Sequence, residues 1–337
     1  MAGVSANHAW LTVILTSIPG LFLIMVYTGL LEKSSNTFPI MLEEHLGKIA
    51  GKILAIIYIA VFALLSILYL RFYEEFIINN VLLGSPVSAL LMIIVIPGFY
   101  AIYCGTQVMA RVSEIVFIVA FPLAILLLLA GMTEKPDFAN LLPLTNISPV
   151  NLLEAVYLNT WHVGNMVLIL ALYSFCQQNV RVIKTMLIRV TLVLVLYLST
   201  EMLVILIVLG ADLTATQSFP LFEIARNIEL GGFIRNLEVF FISSFIMGIC
   251  ISVTIFWFMA CYCTQKVFNL KDYRFLAAPA GIIIAFGSIL ISPNTFWVFS
   301  ILEKIAPIFF GVFFVLIPIL LYLIALIKSR LAPGTKA

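Results

Sequence analysis

The 337 residues are 63% hydrophobic and only 10% charged, with a mean hydropathy of +1.18. Soluble domains run at about 45–50% apolar and about 25% charged, so a water-soluble fold is excluded. A net charge of +2 leaves no basic surface for nucleic acid, and five scattered cysteines supply neither a disulfide framework nor zinc spacings.

A membrane-crossing helix needs about 20 apolar residues. In chain order, nine stretches qualify: 9–31, 51–70, 86–103, 112–131, 150–176, 190–210, 237–262, 275–292 and 305–327. Their apolar runs are continuous rather than alternating, which excludes a β-barrel. No long polar stretch separates them, so residues 1–337 are expected to form one all-α transmembrane domain. Between the first two spans, residues 36–46 predict a short amphipathic helix on the cytoplasmic surface.

Most of the 18 Lys and Arg residues fall on one side of this arrangement, leaving Arg71, Lys135, Arg226, Arg235 and Lys304 on the other. The richer side is expected to be cytoplasmic and to hold the C-terminus. The N-terminus then lies outside, although residues 1–9 carry no signal peptide. Nine spans also cannot split into two equal repeats, the usual construction of transporter folds. Both difficulties disappear if one span precedes residue 9. Residues 1–8 read as an inter-helix connection, which points to a truncated chain or a misplaced start codon.

The fifth span is the most informative. Asn159, Thr160, His162, Gly164 and Asn165 interrupt an apolar run. Main-chain groups in lipid must be paired internally, so an unwound turn is tolerated only where it lines a cavity. Two readings stay open: a broken helix that binds a small ligand, or an ordinary helix with a buried polar face. In the first, Gly164 permits unusual backbone angles, Asn165 caps the restarted helix, and Trp161 and His162 wall the pocket. His162 itself reads either as a hydrogen-bonded interior side chain or as a proton carrier. No second His or Cys stands at ligand spacing, so no metal site is expected.

Glu201 lies in the middle of the sixth span, where a charge costs about 2.5–3.5 kcal/mol. It reads either as a coupling or gating carboxylate or as a neutral, hydrogen-bonded acid. Arg111 and Glu114, and likewise Arg235 and Glu238, stand at i, i+3 and predict structural ion pairs. Ser244, Gly248 and Ser252 share one helix face, suited to close packing or to lining a polar path. Cys261 and Cys263 read as packing or lipid-facing residues. No nucleophile-elbow, zinc-protease or phosphate-loop motif occurs, so neither an enzyme nor a cofactor is expected.

Several stretches, in order, resemble one known family. They are Ala2-Gly-Val-Ser-Ala-Asn-His-Ala-Trp10, Phe38-Pro39 through Gly47-Lys-Ile-Ala-Gly51-Lys-Ile-Leu54, Ser85-Pro86, Gly105, and Ala110-Arg111-Val-Ser-Glu114. Asn140-Leu-Leu-Pro143, Leu209-Gly210, Phe219-Pro220-Leu221 and Ile234-Arg235-Asn-Leu-Glu238 continue the series. Together they resemble the spore germination permease family, the B subunit of bacterial spore nutrient germinant receptors. That family is a branch of the amino acid–polyamine–organocation transporter superfamily.

The resemblance implies a LeuT-like bundle of ten helices in two inverted repeats, of which the nine spans here are the second to tenth. It implies a subunit that senses a small nutrient such as an amino acid in the spore inner membrane, alongside an A-type subunit and a C-type lipoprotein. The ligand is expected at Thr160, Trp161, His162, Val163, Gly164 and Asn165. Tyr58, Ser66, Ser244 and Gly248 follow by fold analogy, and Glu201 is the coupling candidate. Where the family would read Pro-Phe-Gly-Glu, this chain has His162-Val163-Gly164-Asn165. The glycine is kept and the acid is lost, which implies an altered ligand preference. A proton-coupled amino-acid transporter and a truncated, non-functional paralogue are the alternatives.

Overall fold

The computed structural model describes residues 6–34, 36–133, 136–142, 148–176, 178–228, 236–291, 297 and 300–331. Arg235, Lys135, Pro143, Ser292 and residues 1–5, which entered the readings above, lie outside them.

Helices dominate the described residues. They are α1 (Ala9–Lys33), α2 (Phe38–Leu46), α3 (Lys48–Asn80), α4 (Val87–Cys104), α5 (Thr106–Gly131) and α6 (Pro149–Phe175). After them come α7 (Val180–Thr216), α8 (Pro220–Asn227), α9 (Glu238–Val267), α10 (Arg274–Leu290) and α11 (Ala306–Ser329). Eight of these are long and apolar enough to cross a membrane, while α10 is a shorter apolar helix of 17 residues. The chain is an all-α, multi-pass membrane protein.

Two helices run well past the expected spans. α3 continues to Asn80 instead of ending at Leu70, because Arg71 pairs with Glu74 and Glu75 one turn on. These three charges read as a loop in a hydropathy scan, yet i, i+3 and i, i+4 pairing is a helical spacing. α7 runs from Val180 to Thr216 across a kink at Gly210, whose φ of 77° lies in the left-handed region that glycine enters without strain. The kink disturbs the α-helical ladder, and the Ile207 carbonyl instead accepts the Asp137 N–H at 2.8 Å and the Asn140 side-chain amide at 3.4 Å. Two of the stretches that carried the resemblance, Leu209-Gly210 and Asn140-Leu-Leu, therefore meet here. Arg111 and Glu114 are both exposed and form no ion pair with each other, because solvation of two surface charges offsets the small gain from pairing them.

The chain divides into two compact units. Unit 1 comprises Met1–Thr28, Ile118–Met166 and Gln178–Phe245. Unit 2 comprises Gly29–Phe117, Val167–Gln177 and Ile246–Ala337. The core of unit 1 gathers Leu127, Leu128, Val204, Ile205, Ile224 and Ala225. α8 seals one edge of it by burying Leu221, Phe222, Ile224 and Ala225.

In unit 2 the surface helix α2 lies directly on α3. A Cβ at Gly51 would fall on the backbone of Glu43, so only glycine permits this approach. The Lys328 ammonium donates to the Glu44 carbonyl at 2.9 Å, tying α11 to the same corner. Trp257 is fully buried and sits in a slot formed by Gly98 of α4 and Gly281 of α10. Cys261 and Cys263 are buried packing residues.

Candidate functional site

In unit 1, α1, α6 and α7 converge on a small cavity. Val13 and Thr16 line it from α1, Asn159, His162 and Val163 from α6, and Leu194, Val195 and Leu198 from α7. Each helix contributes residues spaced three or four apart, which places them on one face. The cavity has room for about one water molecule, so in this conformation an amino acid does not fit.

The polar wall is an interhelical hydrogen-bond chain. The Asn159 side-chain amide donates to Thr12 Oγ1 at 3.2 Å, and Thr12 Oγ1 donates to the Ala9 carbonyl at 2.7 Å. Thr16 Oγ1 donates to the Thr12 carbonyl at 2.8 Å. Ser199 of α7 donates to the Trp10 carbonyl at 3.1 Å, linking the third helix to the first. Asn159 is 2% exposed, and its Oδ1 has no hydrogen-bond partner. A buried acceptor left unanswered costs about 1–3 kcal/mol. The unanswered oxygen belongs to a cavity-lining side chain.

The expected interruption in α6 takes a different form from an unwound turn. The α-helix runs from Pro149 to Gly164 and tightens into a 3-10 segment over Asn165–Leu168. A short α turn, Ile169–Leu172, and a second 3-10 turn, Tyr173–Phe175, complete it. The 3-10 pattern keeps the main chain paired, i to i+3, and so satisfies lipid without opening. Asn165 accordingly sits at the end of the first helix with φ −57° and ψ −17°. This differs from the expected position as cap of a restarted helix. Mid-helix 3-10 stretches are a mark of hinges.

The other expected residues are distributed as follows. His162 and Val163 line the cavity, and the Trp161 and His162 rings lie 4.4 Å apart between centroids. Thr160 donates to the Val156 carbonyl of its own helix at 2.8 Å. Val163 also receives α1 closely, since a Cβ at Gly20 would stand 3.2 Å from its side chain. Glu201 stands one turn after Tyr197 on α7, and Tyr197 packs on Phe121. Ser244, also in unit 1, donates to the Phe240 carbonyl at 2.9 Å.

Tyr58, Ser66 and Gly248 belong to unit 2. The Tyr58 hydroxyl donates to the Phe313 carbonyl at 2.6 Å and Ser66 to the Val253 carbonyl at 3.0 Å. Gly248 faces open space. Among the described residues, no group of three or more His, Cys, Asp or Glu side chains is placed to hold a metal. Thr12 and Thr16 were not singled out from sequence, and Asn159 was read as part of the polar interruption without being named a ligand contact. The signal for the threonines was the i, i+4 spacing, which aims both at one neighbour.

The sequence pattern of the spore germination proteins matches residues 1–296. The chain belongs to the spore germination protein family. Within this family, it is 27% identical to spore germination protein KB of Bacillus subtilis, over 98% of this chain and 89% of that protein. Spore germination protein YndE of the same organism is 24% identical over 95% of this chain and 88% of its own. The putative spore germination protein YfkT is likewise 24% identical, over 99% of this chain and 90% of its own. As a member of this spore germination family the chain spans nearly the full length of these relatives. The helix-lined cavity of unit 1, mostly apolar with Thr16, Asn159 and His162 on its wall, is therefore a property to be read in the setting of spore germination.

Proposed function

We propose that this protein is the membrane-embedded, B-type subunit of a spore germinant receptor and senses a small nutrient, most simply an amino acid. Membership of the spore germination family over residues 1–296 carries the reading. The unit 1 cavity supports it. Asn159 Oδ1 offers an unused acceptor to an ammonium group, and Thr16 and His162 border the same space. Thr160, Trp161, Val163, Gly164 and Asn165 complete the contact set. Tyr58, Ser66, Ser244 and Gly248 rest on analogy with the fold alone.

The nutrient works by unequal affinity. A cavity closed to a single water's volume must widen to admit an amino acid, so the ligand favours the wider state. The α-to-3-10 junction at Asn165 is the hinge in this mechanism. The shift is passed to an A-type subunit and a C-type lipoprotein in the spore inner membrane. The preponderance of Lys and Arg on one side supports a cytoplasmic C-terminus.

The test is deletion of the gene in its own spore former, with germination followed on an amino-acid mixture. Loss of an amino-acid response, restored by the wild-type gene, is expected. An unchanged response to every nutrient overturns the reading. A second reading, proton-coupled amino-acid transport, is favoured by the position of Glu201 inside the apolar helix α7. Uptake of labelled amino acid into vesicles, abolished by Glu201→Gln, would select it.

A further inference from the structure

Unit 2 holds a buried polar cluster that the proposed function does not use. Glu74 is 0% exposed, Glu75 6% and Arg71 8%, and Ser288 of α10 is fully buried against them. Arg71 Nη1 donates to Glu74 Oε2 at 3.1 Å, and Arg71 Nη2 is hydrogen-bonded to Glu75 Oε1. The Asn79 amide donates to Glu75 Oε2 at 3.0 Å. Arg71 Nε, also buried, has no partner. Two carboxyl groups thus share one guanidinium away from solvent. Both ionised, they would set two buried negative charges against the one guanidinium they share.

Counting protons locates the imbalance. Ser288 Oγ lies 2.7 Å from Glu74 Oε1 and 2.8 Å from the Ala285 carbonyl. A hydroxyl has one proton to give. With Glu74 ionised, one of these two short contacts would set acceptor against acceptor. With Glu74 neutral, its carboxyl O–H donates to Ser288 Oγ, Ser288 donates to Ala285, and Glu74 Oε2 still accepts from Arg71. Glu75, held by Arg71 and Asn79, is the carboxylate that balances the guanidinium.

Among the described residues, Arg71 is the one cation beside Glu74. On α3 the Tyr73 phenol is the next titratable group, and the Cys250 thiol of α9 faces it. α4 carries no Asp, Glu, Lys, Arg or His, and on α10 the only one is Arg274, at the far end from Ser288. Glu43, Glu44 and His45 of α2 pack where α3 begins, near Gly51, about 30 Å along the helix from Arg71.

We infer that Glu74 is a proton-binding site, carrying its proton at neutral pH and using it to join α3 to α10 through Ser288. Release of that proton to water turns the Glu74–Ser288 contact repulsive and loosens this seam. Unit 2 thereby responds to proton availability independently of the unit 1 cavity.

The test is infrared difference spectroscopy of the full-length protein in lipid nanodiscs at neutral pH. The carbonyl stretch of a protonated carboxyl is read by its shift in D2O. Wild type minus Glu74→Gln is expected to show the loss of one such band, with the ionised-carboxylate band unchanged. Loss of carboxylate absorption instead, with the acid band intact, overturns the inference. If Glu74→Gln does not accumulate, Ser288→Ala reads the same group. The acid band must shift because its hydrogen-bond acceptor is gone, and an unshifted band overturns the inference equally.

Discussion

The Asn159 amide meets the Thr12 hydroxyl at 3.2 Å, and this one bond ties the polar turn of α6 to the first spanning helix. Thr12 does not depend on it, because its own proton goes to the Ala9 carbonyl. Replacement of Asn159 by Leu therefore removes a single interhelical bond, worth about 1 kcal/mol. It also removes the acceptor offered to a ligand. We expect Asn159→Leu to insert and to melt close to the wild-type temperature, while the amino-acid germination response is lost. Spore germination and thermal unfolding of the purified protein check the two halves separately.

Gly164 is the last α-helical residue before the 3-10 segment. It is buried. A leucine there crowds the hinge without adding charge. Gly164→Leu is expected to reach the membrane in normal amount, read by immunoblot, and to abolish the nutrient response. A normal response would remove this junction from the sensing mechanism.

The contact of α2 with α3 allows no side chain at Gly51, where any Cβ meets the Glu43 backbone. Gly51→Ala is expected to cost about 1–3 kcal/mol, the usual range for overpacking. Because the obstacle is main chain, it cannot rotate away, so Gly51→Val should fail to accumulate. Thermal unfolding and membrane yield measure these effects.

His45 sits on the same surface helix. Burial holds its imidazole below the ordinary value of 6.5, and Lys328 and Lys33 add to this while Glu44 opposes it. The folded protein keeps His45 neutral over a range in which the unfolded chain binds a proton. Stability from this site is present above 6.5 and is lost as the pH falls below it. The unfolding temperature of the wild type should drop more steeply through this range than that of His45→Asn.

Arg71 answers Glu75 inside the fold. Arg71→Met leaves that carboxylate buried without its cation and should cost roughly 3–5 kcal/mol. The double variant Arg71→Met/Glu75→Gln removes both charges and should recover most of the loss. Unfolding midpoints of the wild type, the two single variants and the double variant give the coupling directly.

The spans were legible because lipid permits only continuous apolar helices, and that demand is written residue by residue. Their ends were not. Arg71, Glu74 and Glu75 carry the composition of a loop, and only their helical spacing betrays that α3 absorbs them. The polar turn from Asn159 to Asn165 was visible as chemistry, but its geometry was not. A helix facing the same polar residues can unwind or tighten, and the choice depends on packing against α1 and α7, which local sequence does not display. Thr12 and Thr16 were hidden for the same reason. Threonine commonly satisfies its own helix, as Thr160 does, and its role as a wall appears only when another helix arrives.

The Gly210 kink has a mechanical consequence. A carbonyl that would normally be answered four residues along its own helix is answered instead by Asp137, from a segment outside it. Asp137 and Asn140 hold the helix just before the kink through the Ile207 carbonyl, and Thr214 Oγ1 holds it just after by donating to the Gly210 carbonyl at 2.6 Å. One rung of the α7 ladder is thus supplied by the segment around Asp137 rather than by the helix itself, so a substitution there reaches α7 without altering a residue within it.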